Sequence, residues 1–164
     1  MADLITDWKK RKGSVGKKHK KFIRKLAQHK GKHLNRLADE THDRVFAKID
    51  CLACANCCTS IPPIVNKTDS TRIAKHLGMK QSEFEEHYLT VDEDHDTVMN
   101  QSPCPFLQAD NRCEIYEVRP KACREYPHTN QQEFSQNLHL HAQNAMYCPA
   151  VFHILEAMER NVPV

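Results

Sequence analysis

Cys51-Leu-Ala-Cys54-Ala-Asn-Cys57-Cys58 decides how the rest of the chain is read, because four thiols fall within eight residues. Two overlapping CxxC spacings set the sulfurs of Cys51, Cys54 and Cys57 at the interval at which one loop wraps a metal ion or a cluster. Cys58 is a different case. Adjacent side chains in an extended or turning backbone diverge, so Cys57 and Cys58 are expected to point at different things. The remaining cysteines are Cys104, Cys113, Cys123 and Cys148, and residues 1–50 contain none. Eight thiolates suffice for two four-coordinate sites, or for one iron–sulfur cluster plus a zinc or a few structural thiols. All eight are candidate metal ligands. Cys51, Cys54 and Cys57 are assigned to one centre with a remote fourth ligand, for which Cys104-Pro105 and Cys148-Pro149 both have the cysteine–proline form of [4Fe–4S] loops. Cys58, Cys104, Cys113 and Cys123 form the pool for a second centre or for completing the first. Spacing alone leaves zinc and iron both open.

At 164 residues the chain accommodates one domain with a modest core plus an appendage, and not two large domains. Its net charge of +3 conceals an asymmetry. Residues 1–50 carry 15 Lys plus Arg against 6 Asp plus Glu, and the remainder carries 9 against 15. The expected division is a basic helical arm, 1–48, followed by a cysteine-cluster metal-binding domain, 49–164. The first residues have acidic groups and no apolar core of the secretory type, and no run approaches the length of a membrane span. That pattern implies a cytoplasmic chain with free thiols, where dense cysteines bind metal rather than form disulfides.

From Ser14 to Asp50, Ile23, Leu26, Leu34, Leu37, Ala38, Thr41, Val45 and Ile49 recur at helical intervals, which predicts one or two helices broken near Gly31. Lys17, Lys21, Arg24 and Lys25 take the opposite face, so residues 9–36 are a candidate surface for nucleic acid or another acidic partner. The competing reading is a solvated helix that docks its apolar stripe. Only Trp8 and Phe22 interleave with the basic residues, which gives stacking on single strands little support.

Downstream, Ser60–Val65 with its paired prolines reads as extended. Thr68-Asp69-Ser70 offers N-caps to a helix over 71–77, closed by Gly78, and Ser82-Glu-Phe-Glu85 predicts a capping box for a second short helix. This spacing is that of a helix-turn-helix, but the acidity of 69–96 favours a structural pair over a DNA reader. The acidic loop 92–96 lacks the ligand alternation and glycine of a calcium loop. Short strands are expected at 97–99 and 104–107, a hairpin through Ala109-Asp110-Asn111 that brings Cys104 and Cys113 together, and a helix over 116–126 carrying Cys123. Leu138-His-Leu-His141 alternates as a strand would, and Pro149 opens a final helix with Val151, Phe152, Leu155 and Met158 on its apolar face. The fold class is thus mainly α with a short β-hairpin.

A thioredoxin-like role for the CxxC pairs requires a βαβ context that the sequence does not offer. His128 and His141 are the nearest substitute ligands, though an ordinary packed or surface imidazole is the simpler reading of each. Arg119 and Arg124 flank Cys123, where they would offset thiolate charge or pair with Glu114, Glu117 or Glu125.

Cys51 to Cys58 in the form CxxCxxCC, then Cys104-Pro-Phe-Leu, Cys113-Glu-Ile-Tyr, Arg119-Pro120, Cys123-Arg124, Tyr126-Pro127 and finally Cys148, resembles the YkgJ-type CxxCxxCC cysteine-cluster proteins of bacteria, described as zinc- or iron-chelating domains. The resemblance covers about residues 49–150. Where those proteins often place a glycine between the second and third cysteines, this chain has Ala55-Asn56. A related cysteine-rich region occurs in flagellin lysine N-methylases. The resemblance implies a protein that chelates zinc or iron, the latter as an ion or in a 4Fe–4S cluster. An iron–sulfur enzyme or redox component for electron or methyl transfer is the alternative, and a binding module working through the basic arm is a third.

Overall fold

The computed structural model describes residues 3–29 and 32–163. In chain order the helices are α1 Leu4–Leu26, α2 Lys32–Phe46, α3 Cys51–Cys54, α4 Asn56–Ser60, α5 Lys67–Leu77, α6 Gln81–Tyr88, α7 Lys121–Glu125, α8 Leu138–Asn144 and α9 Pro149–Asn161, with strands β1 Leu89–Val91 and β2 Thr97–Met99. The fold is mainly α with a short antiparallel hairpin, as expected. The chain divides into two compact units. A helical unit comprises 1–51 and 127–164, and a cysteine unit comprises 52–126. No described helix is long and apolar enough to cross a membrane.

In the helical unit, α1 begins well before Ser14, where the apolar periodicity starts, because Asp3 caps it and accepts the Thr6 N–H at 3.2 Å. The break expected at Gly31 lies outside the described residues. The two helices on either side of it pack on α9, and α1 also packs on α8. Their stripes bury Trp8, Phe22, Leu26, Leu34, Ala38 and Val45 together with Phe134 and the Val151, Phe152, Leu155 and Met158 face of α9. The Trp8 indole N–H donates to the Ala145 carbonyl at 2.8 Å, so the large ring is buried with its polar atom satisfied.

One carboxylate in this core gathers most of the buried charge. Glu156 accepts from Arg11 at 2.8 Å, from His19 at 3.0 Å and from Lys18 at 3.3 Å, and these partners hold its carboxyl down at about 2. Burial lowers the His19 pKa in spite of that neighbour, so the imidazole is neutral and donates from Nε2. The segment 138–141 is not a strand. It forms the first turn of α8, with His141 buried, stacked on Phe134 at 4.2 Å and bonded through Nε2 to the Phe134 carbonyl at 2.8 Å. Alternation over four residues is too short to distinguish the two periods, and a ring stack decided it.

The cysteine unit is built from shorter pieces. Ser60 still belongs to α4, and the extended segment begins at Ile61 and feeds the hairpin: Val65 N–H donates to Thr97 O at 2.9 Å and Met99 N–H to Pro63 O at 3.1 Å. Asn66, rather than Thr68 to Ser70, caps α5. Its side chain accepts the Asp69 N–H at 2.8 Å while Asp69 accepts the Asn66 N–H at 3.2 Å. Gly78 closes α5 at φ 71°, a left-handed conformation suited to glycine. The capping acid of α6 is Glu83, which accepts the Lys80 N–H at 3.0 Å; Glu85 instead receives Lys67 and Gln81. The regular hairpin joins β1 to β2, with Leu89 opposite Met99, and Asp92 ties the intervening loop by accepting the Asp94 and Asp96 N–H groups.

Two further expectations need correction. The segment 104–107 is not a strand, and the hairpin there shrinks to one bridge between Leu107 and Cys113. The Phe106 and Leu107 amides turn back toward the Cys104 sulfur and carbonyl, and the bonds across the turn are Gln108 N–H to Arg112 O at 2.8 Å and Glu114 N–H to Phe106 O at 2.9 Å. Over 116–126 the helix is interrupted: Tyr116–Val118 is a single 3₁₀ turn, and Arg119 and Pro120 are extended before α7. Proline lacks the N–H and forces its predecessor out of helical geometry, which places the break at Arg119. Val65, Ile73, Phe84, Met99, Phe106 and Ile115 form the core here, and Cys104 and Cys113 pack against it.

Candidate metal centre

The CxxCxxCC stretch folds as two short helical pieces. Cys51 and Cys54 begin and end α3, Ala55 turns at φ 46°, and α4 then carries Cys57 and Cys58. A left-handed alanine is strained by its Cβ. Cys51 is the last residue of the helical unit, and Cys148 caps α9 in the same unit. Cys54, Cys57, Cys58, Cys104, Cys113 and Cys123 belong to the cysteine unit. Cys57 and Cys58 do not diverge: their thiols are hydrogen-bonded to each other.

Backbone bonds then bring distant cysteines to Cys58. The Cys104 N–H donates to the Cys58 carbonyl at 2.8 Å. The Leu107–Cys113 bridge sets Cys113 beside the Cys104 turn. The N–H groups of Phe106 and Leu107 point at the Cys104 sulfur, and that of Ile115 points at the Cys113 sulfur. Such donors favour a thiolate over a thiol.

Cys123 arrives on α7, whose start is fixed by a residue far away in sequence. Buried Asp69 accepts the Lys121 N–H at 3.2 Å and the Arg72 guanidinium at 2.7 Å, and Arg72 also donates to the Arg119 carbonyl at 3.0 Å. The sequence alone offers Asp69 only as a possible cap. The signal available was a carboxylate in the first turn of a helix, which does not reveal a second client.

The thiols are coupled electrostatically. The Cys58 pKa is raised, first by the Cys57 hydrogen bond and then by burial. Burial raises Cys104 and Cys113, against the pull of the backbone donors. Cys123 keeps exposed surface, yet its thiol is pushed up to about 12 by the surrounding protein and then by Cys58, Cys104 and Cys113. Four sulfurs that each oppose the others' ionisation become thiolates together only with a cation among them. The donor set therefore suits a soft or borderline metal. Among the described residues, no group of three or more His, Cys, Asp or Glu is placed so that it could hold a metal ion as it stands. Electrostatic coupling reaches further than a coordination bond, so the four thiols are neighbours without forming a ligand shell.

The flanking cations behave differently from each other. Arg119 lies close enough to Cys113 and Cys123 to favour their thiolates, and it stacks on Tyr116 at 4.0 Å. No described interaction ties Arg124 to the sulfurs. Of the pairs foreseen with Glu114, Glu117 and Glu125, Glu125 takes Lys121 instead, at 3.6 Å. His128 and His141 both belong to the helical unit, the former 3.6 Å from Glu133.

No curated protein and no solved structure matches the chain. One family model does, over residues 50–148, and its description reads "CxxCxxCC: Putative zinc- or iron-chelating domain". The match spans more than half of the chain and includes every thiol placed above, so this protein belongs to the CxxCxxCC family.

Proposed function

We propose that the protein chelates a zinc or iron centre through Cys58, Cys104, Cys113 and Cys123, in a reducing compartment such as the cytoplasm. The observation that carries this reading is the mutual coupling of these four thiols within one unit, with backbone N–H donors already aimed at two of the sulfurs. The protein's part is to hold four thiolates at one place and to offset their charge with those donors and with Arg119. A bound metal would supply the positive charge that makes the ionised cluster stable, closing the unit as a staple. Cys57, bonded to Cys58, stands next to the centre and would exchange with it as a ligand.

The test is metal analysis with a visible spectrum on protein purified without oxygen. Sulfur-to-iron charge-transfer colour selects an iron–sulfur centre, and a colourless protein with stoichiometric zinc selects the structural site. Serine at any one of the four positions should lower metal content by the same step, because a four-ligand site that loses one thiolate loses charge and closure together. Equal loss from Cys54→Ser would show that this ligand set is wrong.

A further inference from the structure

The helix α1 contains ten Lys and Arg and a single Asp, and the structure sorts eight of these cations into two groups. Arg11 and Lys18 are tied inward, to Glu156 and Glu159, and Lys12 lies over the Trp8 ring at 4.2 Å. Lys10, Lys17, Lys20, Lys21 and Arg24 are exposed, and none forms an ion pair with the described residues. At about 100° per residue these five lie within roughly a third of the helix circumference, along about 21 Å of its axis. Gly13 falls inside the same stripe, with nothing within 4 Å of where a Cβ would be. A mid-helix glycine costs about 1 kcal/mol relative to alanine, and here no packing inside the chain requires it.

We propose that this face of α1 docks on the phosphate backbone of double-helical nucleic acid, without reading its sequence. The side chains needed by the other polyanions are occupied. Trp8 and Phe22, which would stack on the bases of a single strand, are 1% and 3% exposed. The apolar residues that an interfacial helix would insert into lipid, Ile5, Ile23 and Leu26 among them, are buried in the helical unit. What faces water is a rigid row of cations with no apolar or aromatic component, which matches a regular array of phosphates. This surface is independent of the metal reading.

The experiment is fluorescence anisotropy of a mixed-sequence duplex of about 20 base pairs titrated with the full chain between about 50 and 200 mM salt. Five neutralised phosphates give a log–log slope of about −4 to −5. The K17Q/K21Q/R24Q variant should weaken binding by more than about tenfold and reduce the slope by about 3, with its circular dichroism unchanged. A control that removes three exposed cations of the cysteine unit, K67Q/K75Q/K80Q, should bind as the parent does. Equal effects of the two triple variants, or binding that is flat in salt, would overturn the proposal. So would tighter binding to a single strand, or capture by phosphatidylserine vesicles at salt where the duplex is not bound.

Discussion

The helical unit and the cysteine unit solve the same problem with different means. The former fills its interior with Trp8, Phe22, Phe134, Phe152 and the aliphatic face of α9, presented by helices long enough to carry whole apolar stripes. The latter has α5, α6, a three-residue hairpin and single turns, with Phe84 and Phe106 as its large buried rings. Short elements bury little area each, so much of their backbone is fixed by caps, bridges and turns that contribute only about 1 kcal/mol apiece. The contrast explains where the thiols are concentrated. A unit that cannot be held by apolar burial alone is the one to which an ionic staple adds most.

The sharpest break of this comparison is chelation. Structural zinc contributes on the order of 10 kcal/mol or more to small thiolate sites, comparable to the whole stability of a domain. Hydrogen exchange after metal removal should show residues 52–126 losing amide protection while α1, α2 and α9 keep theirs. Uniform loss in both units would mean that they do not differ in what holds them.

A second, smaller effect belongs to the helical unit. Glu156→Gln removes the charge and one of the two acceptor oxygens shared by Arg11, Lys18 and His19 and should cost about 2 kcal/mol, since the two long cations are half exposed and recover water. The pH dependence has a definite sign. With the Glu156 carboxyl at about 2 against an ordinary 4.5, its contribution is complete above 4.5 and is lost as pH falls toward 2. His19, lowered from 6.5, protonates more readily unfolded, so its share is also lost on acidification, beginning near 6.5. Thermal melts of the variant should lack the lower of these two slopes.

The smallest effect is a gain. Ala55→Gly relieves the left-handed residue between Cys54 and Asn56 and should stabilise the cysteine unit by about 1 kcal/mol, in spite of the added freedom of the unfolded chain. Unchanged or lower stability in denaturant titrations would show that the surroundings, and not the local turn, dictate that conformation.

What was legible in the sequence was local. The apolar stripe of α9, its Pro149 start and the closure of α5 by Gly78 all rest on spacings within a few turns of helix. The elements misread were those decided by distant partners. Leu138–His141 became helical where Phe134 offered a stacking face, and the expected 104–113 ladder gave up the Phe106 and Leu107 amides to Cys104. The neighbours Cys57 and Cys58 were expected to part, which holds for an extended chain; on the helical turn of α4 their sulfurs meet.

Asp69 has a further consequence. Its two oxygens answer to different parts of the chain, one to the first turn of α5 and the other to Arg72 and the first amide of α7. A buried carboxylate of this kind is a lock with two keys: until both helix starts are in place, it remains an unsatisfied anion. The position of Cys123 is thereby inherited from the polypeptide, so on the proposed ligand set an arriving ion would not have to recruit its last thiol from a wandering strand of chain.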